Sequence, residues 1–238
     1  MKLPSKTLER KLFAGGYRCI VAVDEVGMGC LAGPVVVCAV SFNKDFFKKS
    51  HKKLRWLRDS KQLLPHQREK FAAELLKQKN FHYQISYCHS KTIDKINIYQ
   101  AARKAMGRAV RNVISYRLQV ISKNSEPTTY DLPVRQSLGA GGKPKTIILV
   151  DGKTKIQGMP LEQRAIVKGD RKVFAIACAS ILAKVFRDKM MVKYAKKFPG
   201  YGFEKHKGYG TKEHQVRLAK LGPCPIHRRS FWPVSNLI

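Results

Sequence analysis

Two adjacent acidic residues at the end of a predicted β-strand are the part of the sequence best suited to chemistry. Asp24 and Glu25 follow the apolar run 19–23, and Gly27 and Gly29 come soon after them. Neighbouring side chains on a regular strand point to opposite faces, so the two carboxylates can share a site only where the strand stops being regular. Paired carboxylates beside a glycine loop with exposed N–H groups suit divalent cations and a phosphate ester. A surface hairpin with two solvated acids would show the same pattern.

Two further acids follow predicted strands, although the chain contains only 16 Asp and Glu residues. Asp151 ends the apolar run 146–150, and Asp170 follows the short strand predicted at 165–167. Three strand ends can meet at one edge of a sheet, where four carboxylates would raise each other's pKa values. Two divalent metals relieve such repulsion and catalyse phosphodiester hydrolysis, one by activating water and one by stabilising the leaving oxygen. Taken singly, each acid could be a turn residue or, as for Asp170, a helix N-cap.

The charge of the chain indicates its class of partner. The sequence has 47 Lys and Arg residues, a formal net charge of +31 and a pI near 10.2. So basic a surface favours polyanions such as nucleic acid, with binding that weakens as salt is added, although much of the charge could simply solvate the surface. Acids and charge together predict a metal-dependent nuclease, and a small-molecule phosphatase would not need this much positive charge.

The cysteines and the apolar runs indicate where the protein works. None of the six cysteines forms a C-x-x-C pair, which predicts free thiols in a reducing compartment and no structural zinc site. No apolar run is long enough to span a membrane, and residues 1–13 lack the apolar core of a secretory signal. We therefore expect a cytoplasmic protein.

The elements that must position the acids follow from the periodicity of apolar residues. The pattern predicts strands at 17–23, 35–42, 81–88, 146–150 and 165–167, and helices at 65–79, 98–115, 173–198 and 211–221. Strand 146–150 is expected to be central and parallel. Strands followed by alternating strands and helices predict an α/β fold with a mixed sheet. We interpret 1–16 as a basic lead-in, 17–238 as a single domain, and 122–145 as an exposed insertion loop.

Six segments carry a more specific signal. They are DEVGMGCLAGPVV (24–36), DSKQL (59–63), VDG (150–152), VKGDRKVFAIACASILAKVFRD (167–188), HKGYGTKEH (206–214) and GPCPIHRRSFWPV (222–234). Together, and in this order, they resemble ribonuclease HII, the type 2 ribonuclease H. The resemblance spans most of the chain, and it implies a ribonuclease-H-like mixed β-sheet flanked by helices, with a C-terminal helical extension.

The resemblance also implies roles for the acids. Asp24, Glu25 and Asp151 would bind the divalent metals, Mg²⁺ or Mn²⁺, and Asp170 would complete the acidic site. The long helix that follows contributes further matching residues for which structural roles are at least as well supported, namely Ser180, Lys184, Arg187 and Asp188.

The substrate contacts implied by the resemblance lie in the glycine loop and at one tyrosine. The backbone amides of Gly27, Met28 and Gly29 would recognise the ribose 2′-hydroxyl, the group that tells RNA from DNA, and Tyr209 would stack on the sugar at an RNA–DNA junction. Tyr209 could otherwise be a turn aromatic packed on the core. Met28 stands where the family usually has arginine, so a side-chain contact to phosphate is lost while recognition by the amides is kept.

Three histidines near the C-terminus could suggest a metal site, but Mg²⁺ prefers oxygen ligands. We expect structural or phosphate-facing roles for His206, His214 and His227.

The function predicted from these observations is that of a metal-dependent endoribonuclease. It would hydrolyse the RNA strand of RNA–DNA hybrids and nick 5′ to ribonucleotides embedded in duplex DNA, leaving 3′-hydroxyl and 5′-phosphate ends. Two alternatives stay open at this point. One is a catalytically silent, basic hybrid-binding protein, and the other is a DNA junction nuclease on the same scaffold.

Overall fold

The computed structural model describes residues 3–48, 52–124 and 145–237, with the side chains of 117–124 and 145 left undescribed. Within these ranges one mixed sheet is formed by β1 (Tyr17–Val26), β2 (Val35–Phe42), β3 (Phe81–Cys88), β4 (Lys145–Asp151) and β5 (Glu162–Ile166). The strand order is β3-β2-β1-β4-β5. β1 to β3 are antiparallel, whereas β4 is parallel to both β1 and β5. The predicted mixed sheet is confirmed, with β4 beside the central strand β1.

The two adjacent acids do not lie where β1 becomes irregular, so this part of the prediction was wrong. Pairing of β1 with β2 continues through Val26, which lies opposite Val36. Pairing of β1 with β4 ends at Val23, opposite Val150. The acids therefore stand on a regular strand, beside the point where its other neighbour stops. The end of β4, not a break in β1, opens the sheet edge to both carboxylates.

Helices cover both faces of the sheet. They are α1 (Thr7–Ala14), α2 (Lys44–Lys48), α3 (Pro65–Leu76), α4 (Ser90–Ile96), α5 (Ile98–Asn124), α6 (Gly169–Lys172), α7 (Phe174–Lys197), α8 (Phe203–His206) and α9 (Lys212–Leu221), with 3₁₀ turns at Lys52–Leu54, Ser60–Gln62 and Val234–Leu237. Pro65 occupies the first turn of α3, where its missing N–H costs nothing. Thr211 caps α9 by accepting a hydrogen bond from the N–H of His214 at 3.3 Å.

Several element boundaries differ from the prediction, and two of these differences have identifiable reasons. α5 continues to Asn124 because residues 116–124 contain neither glycine nor proline to stop it. Residues 122–124 of the predicted insertion loop 122–145 are therefore helical and Lys145 begins β4, whereas residues 125–144 lie outside the described part of the chain. β5 starts at Glu162 and not at residue 165, because its first residues are polar and give no apolar strand signal.

Alternate residues of the strands feed two apolar clusters, one on each face. α7 covers the face that contains Ile20 and Ala22, and its small residues Ala175 and Ala179 allow close packing. α5 covers the face that contains Val21 and Val23, again through alanines. Because Asp24 follows in the same alternation, it lies on the α7 face, and its neighbour Glu25 lies on the α5 face.

The chain beyond the sheet forms the predicted helical extension. The C-terminal half of α7 projects past the sheet and packs with α8 and the tail in a third cluster around Met191, Phe203 and Ile226. At the other end of the chain, α1 packs Leu12 and Phe13 into the first cluster. The division of the chain at residue 16 stays a prediction. No helix in the described ranges is both long and apolar enough to cross a membrane.

Candidate active site

The sheet edge brings together the four predicted acids. Asp24 lies on β1 beside the end of β4, where Asp151 is the last residue. The N–H of Gly169 donates to Oδ1 of Asp151 at 2.6 Å, and this bond fastens the short helix α6, which carries Asp170, to the sheet edge. Asp24 and Glu25 each interact electrostatically with both of the other acids.

Burial and mutual repulsion make Asp24, Glu25 and Asp170 difficult to ionise. Asp24 is only 4% exposed, and its burial, with the charges of Glu25 and Asp151, raises its pKa well above the usual range. Burial and the charge of Asp151 raise the pKa of Glu25 to about 7. The pKa of Asp170 is also raised, first by burial and then by Asp151. A neighbouring cation, Lys61, acts against the shifts of Glu25 and Asp170.

The site fits divalent cations held by oxygen ligands. Oε2 of Glu25 is buried and has no hydrogen-bond partner in the described parts of the chain. A cation would provide that partner and reverse the repulsion that raises the pKa values. Among the described residues, no three His, Cys, Asp or Glu side chains are already arranged to hold a metal ion. Water and substrate oxygens would have to supply the remaining ligands, as is usual for Mg²⁺.

Asp170 is not a helix cap. The N-cap of α6 is Lys168, a left-handed residue with φ 56°, and Asp170 lies inside the first turn. A nearby acid, Asp59, does act as a cap, but of the 3₁₀ turn Ser60–Gln62: it accepts from the N–H of Lys61 at 2.9 Å and also pairs with Nε of Arg171 at 3.0 Å. Asp59 also contributes to the raised pKa of Asp170. Its place in the DSKQL segment was the signal for this buried acid.

Ser180 links the long helix α7 to Asp24, one of the candidate metal ligands. Its hydroxyl is hydrogen-bonded to Asp24 and opposes the rise in the pKa of that carboxyl. The same hydroxyl lies 3.0 Å from that of Ser60. Asp24 Oδ1 in turn accepts from the N–H of Glu25 at 2.8 Å. The serine is thus close to the acids and also structural, consistent with the role expected for the long helix.

Two fully buried arginines, Arg187 and Arg228, support the glycine loop that follows β1, and each is 0% exposed. Gly27 has φ 95°, and a Cβ there would collide with Nε of Arg187 and with the carbonyl oxygen of Pro34. Only glycine combines this backbone angle with so close a contact. Arg187 donates to the carbonyls of Pro34, Ala32 and Lys207 at 2.9–3.1 Å.

Arg228 sets the direction of the loop amides. It donates to the carbonyls of Gly27 at 2.6 Å, Met28 at 2.8 Å and Gly33 at 3.1 Å. In a trans peptide the C=O of one residue and the N–H of the next point in opposite directions. The N–H groups of Met28 and Gly29 therefore point away from Arg228, and within the described residues neither has a protein acceptor. Arg228 lies in the last matching segment, 222–234, but nothing in its local sequence pattern marks it as a support of this loop.

Met28 uses its side chain for packing. It is partly buried and lies against the second apolar cluster, on the α5 face of the sheet. Gly29 beside it is exposed. Only the main chain of this loop is therefore free to meet a ligand, which is why methionine can stand at this position.

Tyr209 lies next to the glycine loop. A bridge pairs its backbone with that of Cys30. The half-buried ring has Nζ of Lys184 at 5.3 Å and Cζ of Arg187 at 5.7 Å from its centroid. Burial raises the pKa of the Tyr209 phenol to about 12. Beside the ring is an open basic groove of about 610 Å³, lined in part by Lys184, Lys189, Lys193 and Lys207.

Comparison with known proteins gives a consistent result. The sequence profile of the family described as Ribonuclease HII matches residues 21–234. The Ribonuclease HII of Caldicellulosiruptor bescii is 44% identical over 94% of this chain and 91% of its own. The crystal structure of ribonuclease H2 from Pyrococcus horikoshii OT3 has the same fold, with a TM-score of 0.60 and 23% identity over 92% of this chain and 96% of its own. Bst-RNase HIII in complex with Mn²⁺ gives a TM-score of 0.56 and 14% identity over 93% and 70%, respectively.

Proposed function

The chain belongs to the ribonuclease HII family, and from this premise we propose how its own residues act on nucleic acid. As a member of the family it is a hydrolase, a divalent-metal-dependent endoribonuclease that cleaves RNA in RNA–DNA hybrids. The residues that perform each part of this reaction, and the finer choice of substrate, are the content of the proposal.

The observation that carries the proposal is the cluster of four carboxylates at one sheet edge, where burial and mutual repulsion raise the pKa values of Asp24, Glu25 and Asp170. Asp24, Glu25 and Asp151 hold the divalent metals, and Asp170 completes the acidic site. Bound there, the metals would activate water and stabilise the leaving oxygen. The carboxylates supply hard oxygen ligands, and Ser180 orients Asp24 through its hydroxyl. Mg²⁺ and Mn²⁺ both suit such ligands, and the neighbouring Bst-RNase HIII structure contains Mn²⁺.

The glycine loop recognises the ribose through its main-chain N–H groups. The amides of Met28 and Gly29, turned outward by Arg228, and that of Gly27 donate to the 2′-hydroxyl of the nucleotide on the 3′ side of the scissile bond. This contact needs no side chain at position 28, since only main-chain groups take part. A deoxyribose offers no hydroxyl to these amides, so DNA is bound less well.

We extend the proposal to single ribonucleotides embedded in duplex DNA. Tyr209, placed beside the glycine loop, stacks on the sugar that follows the ribonucleotide, where DNA begins. Cleavage is 5′ to the embedded ribonucleotide and leaves 3′-hydroxyl and 5′-phosphate ends. The groove of Lys184 and its neighbouring lysines then carries the flanking phosphates. Six free cysteines, five of them buried, support a reducing, cytoplasmic location.

Neither alternative function is supported. A catalytically silent hybrid-binding protein would have no need to keep four clustered carboxylates that repel one another. A DNA junction nuclease would have no use for amides directed at a 2′-hydroxyl.

The test of the proposal compares three substrates: a duplex DNA that carries one ribonucleotide, an all-RNA strand paired with DNA, and an all-DNA duplex. Each is incubated with Mg²⁺, Mn²⁺ or a chelator. We expect a metal-dependent nick 5′ to the single ribonucleotide, cleavage along the hybrid, and an intact DNA control. Cleavage of the hybrid alone would keep the enzyme class and overturn the assignment of Tyr209 to junction recognition.

A further inference from the structure

Three buried histidines form a connected chain behind Tyr209. The rings of His206 and His214 are stacked, with centroids 4.3 Å apart. Nε2 of His214 lies 3.1 Å from Nε2 of His227. The ring of Phe203 packs against all three imidazoles. The cluster lies in the helical extension, away from the acids, and the proposed chemistry makes no use of it.

The partners of each ring nitrogen determine the tautomers. Nδ1 of His214 faces the carbonyl oxygen of Tyr209 at 2.9 Å, so this nitrogen must carry the proton. Nδ1 of His227 accepts from the N–H of Cys224 at 2.9 Å, so the proton of His227 is on Nε2 and is donated to His214. The chain therefore runs Cys224 N–H to His227, His227 to His214, and His214 to Tyr209.

His206 completes the arrangement in the same way. Its Nδ1 accepts from the N–H of Gly208 at 3.1 Å, and its Nε2 donates to the carbonyl of Tyr201 at 2.8 Å. All six ring nitrogens are thus satisfied when the three rings are neutral, and only in one set of tautomers. Burial lowers the pKa of His214 and of His227 to about 4, so both rings stay neutral where a cytoplasmic enzyme works.

The segment held by this chain is the one that presents the Tyr209 ring. The carbonyl of Tyr209 accepts from the ring of His214 and from the N–H of Thr211 at 2.8 Å. The preceding carbonyl, that of Gly208, accepts from the N–H of Leu31 at 2.8 Å in the glycine loop. The peptide planes before and after Tyr209 are thus both held, and rotation of either plane would swing the ring away from the loop.

We infer that His214, oriented by His227, is a positioning residue that fixes the Tyr209 peptide and thereby aims its ring at the sugar beside the cleaved nucleotide. The inference rests on the proposed function, because it assigns His214 an effect only through a Tyr209 ring that contacts substrate. A packed apolar side chain could fill the same space, but it could not hold the carbonyl in one direction. Hydrogen-bonded chains of this kind specify geometry more than they add stability.

A double-mutant cycle on the single-ribonucleotide duplex tests the inference. We expect His214→Leu to lower kcat/KM about tenfold, as a small misplacement of a substrate contact does. In a Tyr209→Ala background the same change should cost less than about twofold, because no ring is left to aim. His214→Asn, whose amide N–H can still reach the Tyr209 carbonyl, should keep most of the wild-type activity.

The matched control is Gln215→Leu. Gln215 is the next residue on α9, and its amide donates to the carbonyl of Gly210 at 3.0 Å. The substitution removes a comparable hydrogen bond to the next carbonyl along the chain, but this bond is exposed to solvent. We therefore expect kcat/KM to change less than about twofold. Thermal unfolding, with and without Mn²⁺, checks that each variant is folded and keeps its metal response. If His214→Leu does not fold, His227→Leu removes the orienting donor one step further from Tyr209.

The outcomes separate this inference from the proposed function. An equal loss in the wild-type and Tyr209→Ala backgrounds would show that His214 supports the fold only, and would overturn the inference. So would full activity of His214→Leu, or an Asn variant as impaired as the Leu variant. If the wild-type protein cleaved no ribonucleotide-containing duplex, the proposed junction activity would fail first. If Tyr209→Ala matched the wild type, the role of Tyr209, and this inference with it, would be wrong while catalysis by the acids stood.

Discussion

Nη1 of Arg228 lies 2.8 Å from the carbonyl oxygen of Met28 and donates a hydrogen bond to it. A residue near the end of the chain therefore decides which way the main chain of the glycine loop faces. The guanidinium reaches three carbonyls of one loop at once, which a single ammonium group on a flexible stem cannot match. The loop amides face away from the guanidinium because the carbonyls of the loop are held by this arginine.

Arg228→Lys tests that relationship. The lysine keeps the charge but reaches fewer of the three carbonyls, so we expect kcat/KM on hybrid and junction substrates to fall about 10- to 100-fold. Arg229→Lys is the control, since Arg229 is the exposed neighbour in the same segment and its change should stay within about twofold. Steady-state kinetics on both substrates provides the measurement. Equal losses in the two variants would mean that general charge, not the loop, is what matters.

Asp24→Asn should separate activity from stability. Loss of a metal ligand is expected to lower kcat at least about 100-fold, because several kcal/mol of charge stabilisation disappear. The same change removes a buried carboxylate that is hard to ionise, so the metal-free variant should be more stable than wild type at pH 8, by about 1–3 kcal/mol. Urea unfolding in chelator and single-turnover cleavage with Mn²⁺ measure the two effects. A variant that was both less active and less stable would contradict the assignment of Asp24 to a repulsive metal site.

Glu25→Gln predicts a pH dependence of definite sign. The pKa of Glu25 is raised from 4.5 to about 7 in the fold, so the folded protein holds a proton that the unfolded chain has released. Without metal, wild-type stability is therefore lost as pH rises from about 4.5 to about 7, and no further loss comes above that.

The variant does not titrate at this position. Its stability advantage over wild type should grow through the same window to roughly 1–3 kcal/mol and then level off. Other groups that titrate there, such as Glu9, His214 and His227, are present in both proteins and cancel in the difference. Denaturant unfolding at several pH values in chelator measures it, and an advantage that is constant with pH would argue against a raised pKa.

Metal addition should stabilise the folded protein. Mn²⁺ or Mg²⁺ that binds only the folded state raises the unfolding temperature with concentration, and here it also relieves the repulsion among the acids. Asp151→Asn should remove most of this rise. Asp45→Asn, at an exposed acid on α2 that pairs with Lys48, should keep it. Thermal unfolding across a metal titration gives the comparison, and an undiminished rise in the Asp151 variant would place the metal elsewhere.

The sequence predicts the sheet well because its signals are local. The alternation of apolar residues predicts β2 and β3 with their observed boundaries, and strand ends were enough to identify Asp151 and Asp170 as neighbours of the adjacent acids. The Asp24–Glu25 pair was expected to need an irregular strand, because the local pattern cannot show that a neighbouring strand ends beside it.

The supports of the glycine loop could not be predicted in the same way. Arg187 binds a carbonyl 153 residues away along the chain, and Arg228 binds one 201 residues away. No periodicity or spacing in the sequence indicates such contacts. Both residues stand inside matching segments, but a segment match does not reveal what a side chain touches. The inward packing of Met28 could not be predicted for the same reason, because only the tertiary structure determines which way the side chain of a loop residue packs.

The hydrogen bonds from Arg228 to the glycine loop also have a consequence for folding during synthesis. Arg228 is translated 201 residues after Gly27, and sequentially distant contacts of this kind form late. A nascent chain that has reached only α9 would therefore carry the four acids before Arg228 is present to hold the carbonyls of the glycine loop. On the function proposed above, selectivity for RNA over DNA requires that Arg228 has been translated and has folded against that loop.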